Sequence, residues 1–130
     1  MKMKFNRLIP ELSVTDINVS KKFYLSLGFK IMYEREENKF CFVELDGNQI
    51  MLEELNDHWD VGPLERPFGR GMNISMSVDN VEELYARVVE EGLPIFLDLE
   101  THSYRVGDTV YDDKEFLIQD PDGYLLRFNN

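Results

Sequence analysis

Apolar and polar positions alternate along Leu8–Thr15, with Leu8, Pro10, Leu12 and Val14 on one side and Ile9, Glu11 and Ser13 on the other. This period of two predicts a strand. Asp16 is a residue type that caps helices, and Ile17, Phe23, Tyr24 and Leu27 follow near helical spacing before Gly28. A helix closed by glycine is expected there. Lys30–Arg35, Lys39–Leu45 and Gln49–Leu55 read as three more strands, the last two joined at Asp46-Gly47, a hairpin signal. The order is βαβββ.

The same pattern then returns. Shifted by 64 residues, Leu12-Ser13-Val14 falls on Met76-Ser77-Val78, Gly28 on Gly92, Phe29 on Leu93 and Ile31 on Ile95. Val81, Leu84, Tyr85 and Val88 keep helical spacing between Asn80 and Glu91. Strands are predicted over Met72–Val78, Leu93–Leu97, Glu115–Gln119 and Tyr124–Asn129. The last two form a hairpin across Asp120-Pro121-Asp122-Gly123. Leu45-Asp46-Gly47 meets Pro121-Asp122-Gly123 at a shift of 76, so the second copy carries a 12-residue insertion. It falls in the polar, aromatic-spotted stretch Thr101–Lys114, expected to be a lid or a solvated loop. Two copies are too few for a solenoid. The expected fold is α+β: one domain over 1–130, with module one at about 5–56, a connector at 57–71 and module two at 72–130. The paired modules would form a cleft-shaped, antiparallel-rich sheet with helices outside.

Composition narrows the function classes. The chain of 130 residues is 43% hydrophobic and 30% charged, as globular domains are. Its net charge of −11 repels phosphate backbones, so a nucleic-acid partner is not expected. No apolar run approaches the roughly 20 residues of a membrane span. Pro10 and Glu11 interrupt the apolar stretch that a signal peptide would need behind Met-Lys-Met-Lys. A cytoplasmic protein without a membrane partner is expected. The single cysteine, Cys41, builds no disulfide framework and is expected to be a small buried side chain.

The ending Phe116-Leu-Ile-Gln-Asp-Pro-Asp-Gly-Tyr-Leu-Leu-Arg-Phe128 resembles the closing hairpin of the vicinal oxygen chelate superfamily, which includes glyoxalase I, extradiol dioxygenases, fosfomycin-resistance enzymes and bleomycin-resistance proteins. Leu12-Ser-Val-Thr-Asp-Ile, Phe23-Tyr24 and Leu27-Gly28-Phe29 look like its first βα unit. The resemblance covers the whole chain and implies the paired βαβββ fold already read from the repeat. It also implies four positions at which metalloenzyme members hold a divalent ion. Carried over, these are Ile9, Met51 (Leu52 if the register slips by one), Asn73 and Arg127. Such side chains do not build a metal site, and a guanidinium puts fixed positive charge where the ion would lie. Neither histidine, His58 in the connector or His102 in the insertion, is expected to be a ligand. No metal and no cofactor are expected.

The resemblance therefore points to the bleomycin-resistance type, which binds and sequesters a drug without chemistry. The alternative is a metal-dependent lyase, isomerase or dioxygenase whose ligands are mis-registered. A metal-free binder of an aromatic or cationic molecule needs stacking walls and negative potential. The candidates are Trp59, Phe42 (or Phe40), Phe68 and Tyr104, with Tyr111 beside Tyr104 in the insertion. For Trp59 and Phe68 a packing role is the competing expectation. Glu11, Glu53, Asn73 and Arg127 complete the expected site, with Glu11 or Glu53 pairing Arg127. A homodimer is expected, since resembling proteins complete their clefts with a partner chain and a short first strand would leave an open sheet edge.

Overall fold

A computed structural model describes residues 3–130. The chain divides into two compact units, the first ending at Glu65 and the second beginning at Arg66. Each is one βαβββ module. In the first, β1 (Glu11–Val14), α1 (Ile17–Leu27), β2 (Lys30–Arg35), β3 (Phe40–Leu45) and β4 (Asn48–Glu54) follow in order, with a 3-10 turn at Glu36–Asn38. In the second, β5 (Ile74–Ser77), α2 (Val81–Glu91), β6 (Ile95–Val106), β7 (Thr109–Gln119) and β8 (Leu125–Asn129) repeat it. The sheets have the orders β1-β4-β3-β2 and β5-β8-β7-β6. The outer pairs β1/β4 and β5/β8 are parallel and the others antiparallel. The expected α+β class and its paired modules are what the chain adopts.

Local chemistry accounts for the helices. The Asp16 carboxylate accepts from the backbone N–H groups of Asn18 (2.9 Å) and Val19 (3.3 Å), and Glu54 accepts from that of Ile17 at 3.1 Å. Donors left over in a first helical turn are satisfied in this way. Asn80 caps α2 through the Glu83 N–H at 3.0 Å. Gly28 (φ 115°) and Gly92 (φ 67°) end the two helices in the left-handed conformation.

Strand alternation sorts the side chains. In the first module, Val14, Cys41, Val43 and Leu52 are fully buried on the face that meets α1. In the second, Phe116, Ile118, Leu126 and Phe128 are buried beneath α2, with Tyr85 edge-on to Phe116 at 5.3 Å. Burial of each such aliphatic or aromatic side chain contributes roughly 1.5–3 kcal/mol. The face opposite each helix is the one left for polar groups.

Three expectations about elements need correction. The strand over Leu8–Thr15 pairs only at Glu11–Val14, although the Pro10 carbonyl still accepts from Met51 N–H at 3.0 Å. Similarly, the strand expected over Met72–Val78 is confined to Ile74–Ser77. The insertion Thr101–Lys114 is not a loop. It is the distal half of the β6–β7 hairpin, paired from Thr101↔Lys114 out to Val106↔Thr109, and Gly107 takes φ 64° at its turn.

The connector also differs from its reading as one linking segment. Its C-terminal part belongs to the second module: Phe68 N–H bonds the Asp122 carbonyl at 2.9 Å, and Arg66 pairs with the Asp122 carboxylate at 3.2 Å. A Cβ on Gly123 would lie 2.6 Å from Pro67 Cα, so glycine is required where the Asp-Pro-Asp-Gly turn meets this segment.

Candidate functional site

In the second module the sheet face opposite α2 forms the floor of an open cavity of about 530 Å³. Ser75 of β5 and Arg127 of β8 are cross-strand partners on it. β7 contributes Glu115 and Asp113, and β6 contributes His102 and Tyr104. Arg127 Nη2 lies 3.2 Å from Glu115 Oε1, and this carboxylate is largely buried. Arg127 Nε is buried and bonds no protein acceptor. Asn129 Nδ2 donates to Ser75 Oγ at 3.0 Å. His102 Nε2 lies 3.0 Å from Glu100 Oε2. Farther out, Tyr104 and Tyr111 are cross-strand partners whose rings stack at 5.6 Å and 24°. Both rings are about half exposed.

Arg127 was expected to pair with Glu11 or Glu53. Within its own module its partner is Glu115, on the neighbouring strand. The register of β7 on β8 places this carboxylate diagonally beside the guanidinium. A diagonal pair of this kind cannot be found before the register is known.

In the first module, Glu11, Glu53, Phe40 and Phe42 share the face opposite α1. Phe40 and Phe42 are thus both on the side expected of only one. Tyr33 stacks on Phe42 at 5.2 Å, and Phe5 from the N-terminal segment meets Phe42 edge-on at 5.5 Å. Phe42 is consequently buried, and the covering Phe5 is a contributor that alternation did not reveal. Arg35, also unremarked in the sequence, lies 4.3 Å over the Phe40 ring. Burial raises the Glu11 carboxyl above its ordinary value. Glu53 raises it further, and Arg35 opposes both. A second cavity of about 580 Å³ opens beside the start of α1. Its charged walls are already paired, Lys21 with Glu34 at 2.8 Å and Lys39 with Glu54 at 3.2 Å.

The remaining candidates are scattered. Trp59 is 66% exposed, with His58 edge-on at 6.3 Å, and the expectation that it plugs the sheet end is not met. Phe68 is buried edge-on against Tyr124 at 5.9 Å. Asn73 is exposed just ahead of β5.

The strand registers bear on metal binding. Glu11 pairs with Met51 as Ser75 pairs with Arg127, so Met51 and Arg127 are equivalent in the two modules. Leu52 is fully buried on the α1 side. The carried-over set is therefore Ile9, Met51, Asn73 and Arg127, with Arg127 held by Glu115. These residues do not fit a divalent ion, which takes imidazole or carboxylate donors. Among the described residues no three His, Cys, Asp or Glu side chains are grouped as a metal site needs.

Comparison with known proteins agrees with this fold. The sequence profile of the Glyoxalase/Bleomycin resistance protein/Dioxygenase superfamily matches residues 4–128. Similar solved structures include TioX from Micromonospora sp. ML1, 17% identical, covering 97% of this chain and 98% of that one at a TM-score of 0.73. A glyoxalase/bleomycin resistance protein/dioxygenase from Alicyclobacillus acidocaldarius is 21% identical, with coverages of 99% and 93% and a TM-score of 0.68. A superfamily member from Vibrio splendidus 12B01 is 41% identical, with coverages of 92% and 93% and a TM-score of 0.44. Among curated proteins none matches. No helix among the described residues is long and apolar enough to cross a membrane.

Proposed function

We propose that this chain, which belongs to the glyoxalase/bleomycin resistance/dioxygenase superfamily, is a metal-independent binding protein that sequesters an aromatic or cationic small molecule. The observation that carries the reading is the exposed Tyr104–Tyr111 stack, which rises from the same sheet face as Asp113 and Glu115. An aromatic surface beside carboxylates attracts a planar cation through stacking, cation–π and Coulomb terms together. The donor set at the superfamily's metal positions supports the same reading, because it offers no ligand sphere for Lewis-acid chemistry. A drug of the bleomycin type, with planar rings and a cationic tail, has this chemistry. Trp59, exposed in the first module between Asp57 and Asp60, is proposed as a separate aromatic contact for a planar cation.

Two measurements test the proposal. Protein purified without chelator is expected to contain no stoichiometric divalent metal, and close to one zinc, nickel, manganese or iron per chain would refute it. Calorimetric titration with the planar cation proflavine, and with metal-free bleomycin, is expected to show binding. The double substitution Tyr104→Ala/Tyr111→Ala should weaken that binding about tenfold, the effect of removing a stacked aromatic anchor. Undiminished binding by the double variant would remove the hairpin from the site.

A further inference from the structure

The second-module cavity joins two chemistries that a simple cation site would not need. Arg127 is a fork of donors, yet the carboxylate beside it takes a single contact, Nη2 to Glu115 Oε1 at 3.2 Å. Its Nε bonds no protein acceptor although it is buried. A buried donor left without an acceptor is unfavourable, and a guanidinium is best satisfied by two parallel bonds to one planar oxyanion. Ser75, the cross-strand neighbour of Arg127, accepts a hydrogen bond from Asn129 Nδ2 and keeps its own hydroxyl proton to give away. Arg127 and Ser75 thus form a donor pair at one end of the cavity.

The other end has the opposite character. Asp113 is two residues beyond Glu115 along β7, on the same face, and lies across from His102. The strand rise places it roughly 7 Å from the level of the guanidinium. Tyr104 borders the cavity beside it. A free inorganic anion would meet Glu115 and Asp113 and be repelled. An oxyanion that carries its own cation at this spacing would satisfy both ends.

We infer that the cavity selects a zwitterionic aromatic ligand: its carboxylate is bound by Arg127 and Ser75, its ammonium by Asp113, and its ring lies against Tyr104. The inference rests on the binding function proposed above and narrows its ligand class, with Arg127 as the specificity-determining residue.

The experiment compares three probes of similar shape by calorimetry and by amide shifts of the full-length, 15N-labelled protein. They are 4-(aminomethyl)benzoate, which is zwitterionic, benzylamine, which is a cation, and benzoate, which is an anion. The zwitterion is expected to bind at least about tenfold more tightly than either relative, and to shift the amides of Ser75, Asp113 and Arg127. Arg127→Lys keeps the charge but loses the fork, and Ser75→Ala removes one exposed hydroxyl. Each should lower zwitterion affinity about fivefold or more, a larger loss than benzylamine binding shows. Equal affinity for the three probes, no binding of any of them, or zwitterion binding indifferent to both substitutions would overturn the inference. Benzylamine or proflavine binding that survives in that case would leave the broader binding function standing. Stoichiometric metal would instead refute the broader function, whichever probe binds.

Discussion

At the scale of single residues, environment decides which groups react. Cys41 is fully buried, and burial pushes its thiol from 9.0 up to about 11, with Glu34 adding to the effect. The thiolate is the reactive form, so a thiol reagent at about pH 8 should label the native protein very slowly and the unfolded protein at once. Rapid labelling of the native chain would show that β3 opens. Glu11 makes a prediction with a definite sign. Its folded carboxyl is raised above the ordinary 4.5, so ionisation costs stability as pH rises through that value, and the cost persists at neutral pH. Glu11→Gln is therefore expected to raise the melting temperature at pH 7. The gain should vanish well below pH 4.5, and a gain that is the same at every pH would exclude this cause.

At the scale of elements, the caps and the closing turn are the sensitive points. Asp16→Ala deletes the acceptor for two backbone donors of α1 and should cost about 1 kcal/mol in a denaturant melt. Gly123→Ala should cost more, roughly 2–4 kcal/mol, because the residue has φ 97° and its Cβ would collide with Pro67. A melting curve unchanged by Gly123→Ala would mean that the Pro67 segment yields readily. Most of these elements were legible in the chain. Asp16 and Gly28 announced α1, and the 64-residue echo announced α2 between Asn80 and Gly92. The outer half of the β6–β7 hairpin was not legible, for a physical reason. From Thr101 to Asp112 every residue is exposed, so no buried face imposes an apolar alternation. Its pairing is carried by the backbone ladder and by cross-strand contacts such as Tyr104 on Tyr111, which leave no period-two signal.

At the scale of the whole chain, the repeat in the sequence became two similar modules, but the repeat could not show which side chains meet within each sheet. Glu115 beside Arg127 and Phe5 over Phe42 emerge only from strand register and from the path of the N-terminal segment. Association between copies also lies beyond it. The sheets end in strands β1, β2, β5 and β6, and β6 extends for 12 residues along its edge. Such edges are usually covered. We therefore propose a homodimer, to be checked by light scattering at micromolar concentration. Twice the 15.3 kDa of one chain is expected, and a mass near the single-chain value would exclude it.

The way residues 66–69 hold the Asp-Pro-Asp-Gly turn has an engineering consequence. It puts the boundary between the modules at Glu65 and Arg66, inside the connector, and the stretch before it becomes replaceable. Val61 is fully exposed and a Cβ added to Gly62 would meet nothing beyond its chain neighbours within 4 Å. A short flexible epitope grafted between them, or a protease nick there, should leave both modules melting as in the parent. The same graft two residues after Pro67 would pry the clasp from Gly123 and should lower the melting point sharply. Backbone contact, more than position in the sequence, sets where a chain tolerates insertion. Equal tolerance at the two places would show that the clasp contributes nothing to holding the second module closed.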